Sequence, residues 1–189
     1  MGNFAERIAY WYMRLNGCLL VENYVNHRRP DVAPSDTDLL AVRLRYARQR
    51  VWETEPANED WSARFDTDVS LLNLAIVVQA KGGGGNAAPA FAADRLRDGV
   101  QRIGAVEPDT ALGVVNELGA SKHALVGEWM FLKLVIGPNP IESAHHIPLD
   151  EAHRFVRSRF RDHPRKGADW NHFHDPIAQL FAWEESRRG

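Results

Sequence analysis

Leu71-Leu72-Asn73-Leu74-Ala75-Ile76-Val77-Val78-Gln79-Ala80-Lys81 is the stretch on which the reading of this chain turns. Leu71 to Val78 is short, apolar and β-branched towards its end, and Gly82-Gly83-Gly84-Gly85 ends the stretch abruptly. That pattern predicts a central strand buried on both faces. Side chains alternate along a strand, so Gln79 and Lys81 fall on one face at its end. An amide in an otherwise apolar strand costs stability unless it finds partners, which makes Gln79 a candidate site residue.

Working outward towards the N-terminus, Thr37 to Arg43 predicts a second strand and Cys18 to His27 a third, with a loop from Arg29-Pro30 to Pro34-Ser35 between them. Phe4, Ile8, Trp11 and Leu15 mark one face of a helix that Asn16-Gly17 stops. Leu44 to Asp68 has little period and reads as an irregular insertion, with a hairpin as one form it can take. Towards the C-terminus, Pro89 to Ile103 predicts a helix, followed by a Gly/Pro-punctuated stretch. Leu125 to Ile136 then predicts a strand stopped by Gly137-Pro138. Two helices close the chain, about Leu149 to Asp162 and Asp175 to Arg187, the second opened by Asp175-Pro176. The expected class is α/β: a mixed central sheet flanked by helices, in one domain over residues 1–189. Its core spans about residues 4–136, and a helical C-terminal extension about 148–189.

Composition narrows the function classes. No apolar run approaches the ~20 residues needed to span a bilayer, so no membrane is expected. The first residues, Met1-Gly2-Asn3-Phe4-Ala5-Glu6, lack the basic segment and apolar core of a signal peptide, and the single Cys18 fits a reducing compartment. The expected location is therefore cytoplasmic. A formal charge of -2 gives no global attraction to nucleic acid, so any such binding must come from a local patch.

Asp38 opens its strand in Asp-Leu-Leu-Ala-Val, which sets a carboxylate at the open end of a sheet while the next residues are buried. Ser35-Asp36-Thr37-Asp38 is also good turn chemistry, the plain structural account of Asp38. Asp68 is a rival acid, eleven residues before Gln79. A carboxylate, an amide oxygen and an ammonium are the groups that phosphodiester hydrolysis needs around Mg²⁺ or Mn²⁺.

Asp38 followed by Gln79-Ala80-Lys81 resembles the PD-(D/E)XK nuclease signature in its Gln-X-Lys form, similar to Mrr-type endonucleases. Glu6 in a helix that runs into Gly17 and the first strand is similar to the opening of Holliday-junction resolvases. The resemblance covers Phe4 to about Ile103. It implies a restriction-endonuclease-like fold and a metal-dependent nuclease acting on DNA in defence or repair. It further implies Asp38 and Gln79 as metal ligands with the Ala80 carbonyl, Lys81 as the cation at the attacking water, and Glu6 assisting from the first helix. Gln79 brings an oxygen but no charge, so the alternative is a nuclease-fold protein that binds nucleic acid or scaffolds a complex without cutting.

In the late helix, Arg154, Arg157 and Arg161 share one face, with Lys166 beyond, and form a candidate stripe for phosphate contacts. The plain account is a solvated face over a core of Ala152, Phe155, Val156 and Phe160. His145, His146, His172 and His174 invite a zinc reading, but the His172-X-His174 spacing is not a helix pair and Cys18 is alone, so zinc is not the expected metal. A chain of this length leaves little room for a separate recognition domain, so a homodimer or a partner subunit is expected to supply targeting.

Overall fold

Alternation along one buried strand organises both layers of the molecule. The computed structural model describes residues 3–26, 35–47, 61–162 and 175–187. In strand β3 (Asn73–Ala80), Leu74, Ile76, Val78 and Ala80 enter one apolar cluster, whereas Ala75 and Val77 enter the other. Antiparallel to β3 runs β2 (Ser35–Arg43), and antiparallel to β2 runs β1 (Leu19–Asn26). On the other side of β3 lies β5 (Trp129–Gly137), parallel to it and buried like it. The far edge of β5 is shared: β4 (His123–Val126) pairs antiparallel with its first half, and β6 (His145–Pro148) parallel with its second. Among the described residues the result is a mixed sheet of six strands.

Helices α1 (Phe4–Leu15) and α5 (Leu149–Asp162) cover one face, joined by α2 (Ser62–Phe65) and α6 (Pro176–Ser186). A 3-10 turn over Ala88–Phe91 leads to α3 (Ala93–Ile103) and α4 (Pro108–Ala120), which cover the opposite face. The fold is therefore α/β, a mixed sheet flanked by helices. No helix among the described residues is long and apolar enough to cross a membrane.

Gly99 sets how closely α3 approaches the sheet. A Cβ there would lie 3.2 Å from Leu40 Cδ2 and 3.3 Å from Val77 Cγ2. Gly99→Val is expected to lower stability by about 1–3 kcal/mol through overpacking, although valine is the better helix former. A urea midpoint at or above that of the wild type would show that α3 has room to spare.

Several expectations need correction. Helix α4 lies in the stretch read as Gly/Pro-punctuated: Pro108 takes the first turn, Ala111, Val114, Val115 and Leu118 form a buried face, and Gly113 and Gly119 lie exposed. The strand expected over Leu125 to Ile136 is two, β4 and β5, because Gly127 turns the chain with φ of 58°. Strand β6 is four residues long, too short to show a period. The C-terminal helices pack into the core: Ala152, Val156, Phe160 and Phe181 share one cluster with Ile8, Trp11 and Leu15. Of the expected insertion over Leu44 to Asp68, residues 48–60 lie outside the described residues, as does most of the loop before β2.

Candidate functional site

The antiparallel register builds the site. Leu40 pairs with Val77 and Leu39 with Val78, so the next position sets Asp38 opposite Gln79. The Gln79 side-chain amide donates to Asp38 Oδ2, and the Ala80 backbone N–H donates to the same oxygen at 2.7 Å. Gln79 is buried and Asp38 half-buried. Two donors on one oxygen orient the carboxylate and offset the cost of taking it out of water.

Lys81 extends the ladder by one step, its N–H donating to the Ile136 carbonyl at 2.9 Å. Alternation places its side chain on the face of Gln79, the side covered by α3 and α4. Gly137 keeps that position open, since a Cβ there would lie 3.2 Å from both Lys81 Cβ and Lys81 O. The next four glycines, Gly82 to Gly85, are exposed.

The other expected site residues have structural partners of their own. Glu6 is on α1, across the sheet from Gln79, and completes a capping box: its side chain accepts from the Asn3 N–H while the Asn3 side chain accepts from Ala5 and Glu6 N–H. Asn3→Ala is expected to cost about 1 kcal/mol, read as a lower thermal midpoint; an unchanged midpoint would show that the cap contributes nothing. The rival Asp68 accepts from Ser70 N–H at 2.9 Å in a turn at the opposite end of β3.

The α5 arginines also occupy the α1 layer, and each has an acidic partner. Arg154 meets Asp150 at 3.4 Å, Arg157 meets Glu184 at 3.2 Å, and Arg161 meets Asp162 at 2.9 Å. The Arg154 and Arg161 pairs are exposed and weak, whereas Arg157–Glu184 is half-buried. Lys166 lies outside the described residues.

Two further groups have structural explanations. Lys133 is buried on the Gln79 face, and its ammonium donates to the Leu118 carbonyl in the last turn of α4, although burial pushes its pKa down. It satisfies a helix C-terminus. Burial pushes the Cys18 thiol up to about 12, which leaves it unreactive.

As metal ligands, Asp38, the Gln79 oxygen and the Ala80 carbonyl are hard oxygen donors of the kind Mg²⁺ and Mn²⁺ take, with water and substrate completing the shell. Gln79 turns its nitrogen to Asp38, so ligation requires half a turn of the amide. Among the described residues, no group of three or more His, Cys, Asp or Glu side chains is placed to hold a metal ion.

Sequence reading missed the Ala80 N–H on Asp38 and the pairing of His123 with His145. The first needs the strand register, which no local pattern states. The second joins residues from separate strands, and only His145 carried a signal, as one of several late histidines. In comparison with known proteins, the chain matches no family model, no curated protein and no solved structure.

Proposed function

We propose that this protein is a metal-dependent nuclease that hydrolyses phosphodiester bonds in DNA. The observation that carries the reading is the pairing of Asp38 with Gln79 across β2 and β3, with Lys81 next on the same face. The element order supports it: a helix bearing Glu6, a strand after Gly17, then the Asp38 strand and the Gln79-X-Lys81 strand. The resemblance to PD-(D/E)XK nucleases rests on that order, and a restriction-endonuclease-like fold is part of the same proposal.

A divalent ion bound by Asp38, Gln79 and the Ala80 carbonyl would supply charge neutralisation on the phosphate and a water acidic enough to attack it. The chain's own part is orientation and charge. Ala80 N–H holds the Asp38 carboxylate in place, and Lys81 brings an ammonium to the phosphate oxygen on which negative charge grows.

A second reading, a nuclease-fold protein that binds nucleic acid or scaffolds a complex without cutting, draws on one feature. Asp38 Oδ2 already accepts from two protein donors, and Gln79 adds no negative charge to hold a cation. The test is incubation of the purified chain with plasmid and linear DNA, with and without Mg²⁺ or Mn²⁺, beside Asp38→Ala and Lys81→Ala. The first reading requires metal-dependent cleavage that both variants lose. Equal cleavage by all three proteins would sink it, and binding without cleavage under any metal would leave the second.

A further inference from the structure

Where β4 and β6 meet along the edge of β5, each contributes a histidine. His123 stands beside Leu132 and His145 beside Leu134, so both point to the face covered by α1 and α5. His123 Nδ1 lies 3.2 Å from His145 Nε2, the ring centres are 5.4 Å apart and the planes differ by 11°. Nearly coplanar rings whose facing nitrogens lie between the two centres make an edge-to-edge N–H···N hydrogen bond, not two lone pairs converging on a metal.

The setting disfavours charge on His145. His145 is 4 % exposed, and the ring of Phe65 packs on it with centres 4.8 Å apart. The Arg64 backbone beside the ring favours a proton on His145, against burial. In the neutral pair one ring donates across the 3.2 Å contact and the other accepts. Lys122 and His123 from β4 and its approach disfavour charge on His145, whereas Asp66 after α2 favours it. Lys133 of β5 lies on the opposite face of the sheet, and Glu151 of α5 is paired with Arg64. His146 turns away and shares a hydrogen bond with the Gly137 carbonyl at 2.9 Å.

We propose that the His123–His145 pair is an acid-sensitive clasp that holds β6, and through it the first turn of α5, on the edge of β5. The contact holds one hydrogen between two facing nitrogens; charging the buried His145 ring sets a second N–H against it with little water to screen the charge. Burial comes first among the causes that push His145 down to about 4 from 6.5, followed by His123 and Lys122. An imidazole that resists protonation in the native state supports folding in full above pH 6.5 and loses that support as the pH falls towards 4. Strand β6 runs directly into α5, and Arg64 of α2 is paired with Glu151 in its first turn, so α2, β6 and the head of α5 loosen together.

The test uses the full chain in two measurements. Imidazole NMR from pH 8 to 4 should place the His145 midpoint near 4. Hydrogen exchange, corrected for the intrinsic pH dependence of amide exchange, should show residues 145–152 losing protection over that range while β3 and β5 keep theirs. In His123→Gln, whose amide can still donate but does not titrate, that loss should move to lower pH by at least about one unit. A His145 midpoint at or above 6 would overturn the clasp. So would β6 protection that is unchanged down to pH 4.5, or that is lost only together with β3 and β5. If His123→Gln fails to fold, the wild-type titration and exchange still decide the matter.

Discussion

Under the proposed nuclease function, Lys81→Ala is expected to lower metal-dependent DNA hydrolysis by about 100- to 1,000-fold, the usual effect of removing one group aimed at developing charge. The fold should survive, because Lys81 is half-exposed at a strand end and holds its place through a backbone N–H that alanine keeps. Asp38→Asn should lose hydrolysis to a similar extent for another reason: it removes the charge of the set's carboxylate while keeping its shape. Gln79→Glu tests the same site in the opposite direction. It replaces a donor to Asp38 with a second carboxylate, which should lower stability without metal by about 1–3 kcal/mol and tighten Mn²⁺ binding. The checks are initial rates on plasmid DNA, calorimetric Mn²⁺ titration and thermal unfolding with and without metal. Wild-type rates in Lys81→Ala, or no change in Mn²⁺ affinity in Gln79→Glu, would place the chemistry elsewhere.

Trp61→Ala is expected to be among the most damaging single changes to the fold, at about 3–5 kcal/mol. Trp61 is fully buried just before α2, and its indole N–H donates to the Tyr12 hydroxyl at 2.9 Å. The Arg43 guanidinium lies over its ring at 4.2 Å, and Phe65 packs beside it with ring centres 5.6 Å apart. Truncation therefore opens a large cavity, takes away a buried hydrogen-bond donor and removes a cation–π partner from a largely buried arginine. Trp61→Phe keeps most of the ring volume and loses the N–H, so it should cost about 1 kcal/mol. Urea unfolding separates the two variants. Equal midpoints would assign the stability to the N–H, and midpoints at the wild-type value would show that the site collapses without cost.

What the sequence determined alone is the set of elements whose signal is local. Phe4, Ile8, Trp11 and Leu15 set α1, with Asn16 and Gly17 at its end. The apolar run before Gln79 set a central strand, and the Leu149 to Asp162 pattern set α5. These rest on periods of 3.6 and 2 and on stop residues, which are properties of neighbouring residues in the chain. The sequence also determined that Gln79 and Lys81 share a strand face. Only the tertiary structure decided what they meet. Asp38 lies forty-one residues before Gln79, and its place opposite depends on a β2–β3 register that packing of both sheet faces enforces. The same holds for Glu6, which the chain order allowed beside the site and whose side chain caps the start of α1. The His123–His145 contact depends on two short strands sharing one edge of β5, an arrangement set by long-range pairing that no local pattern encodes.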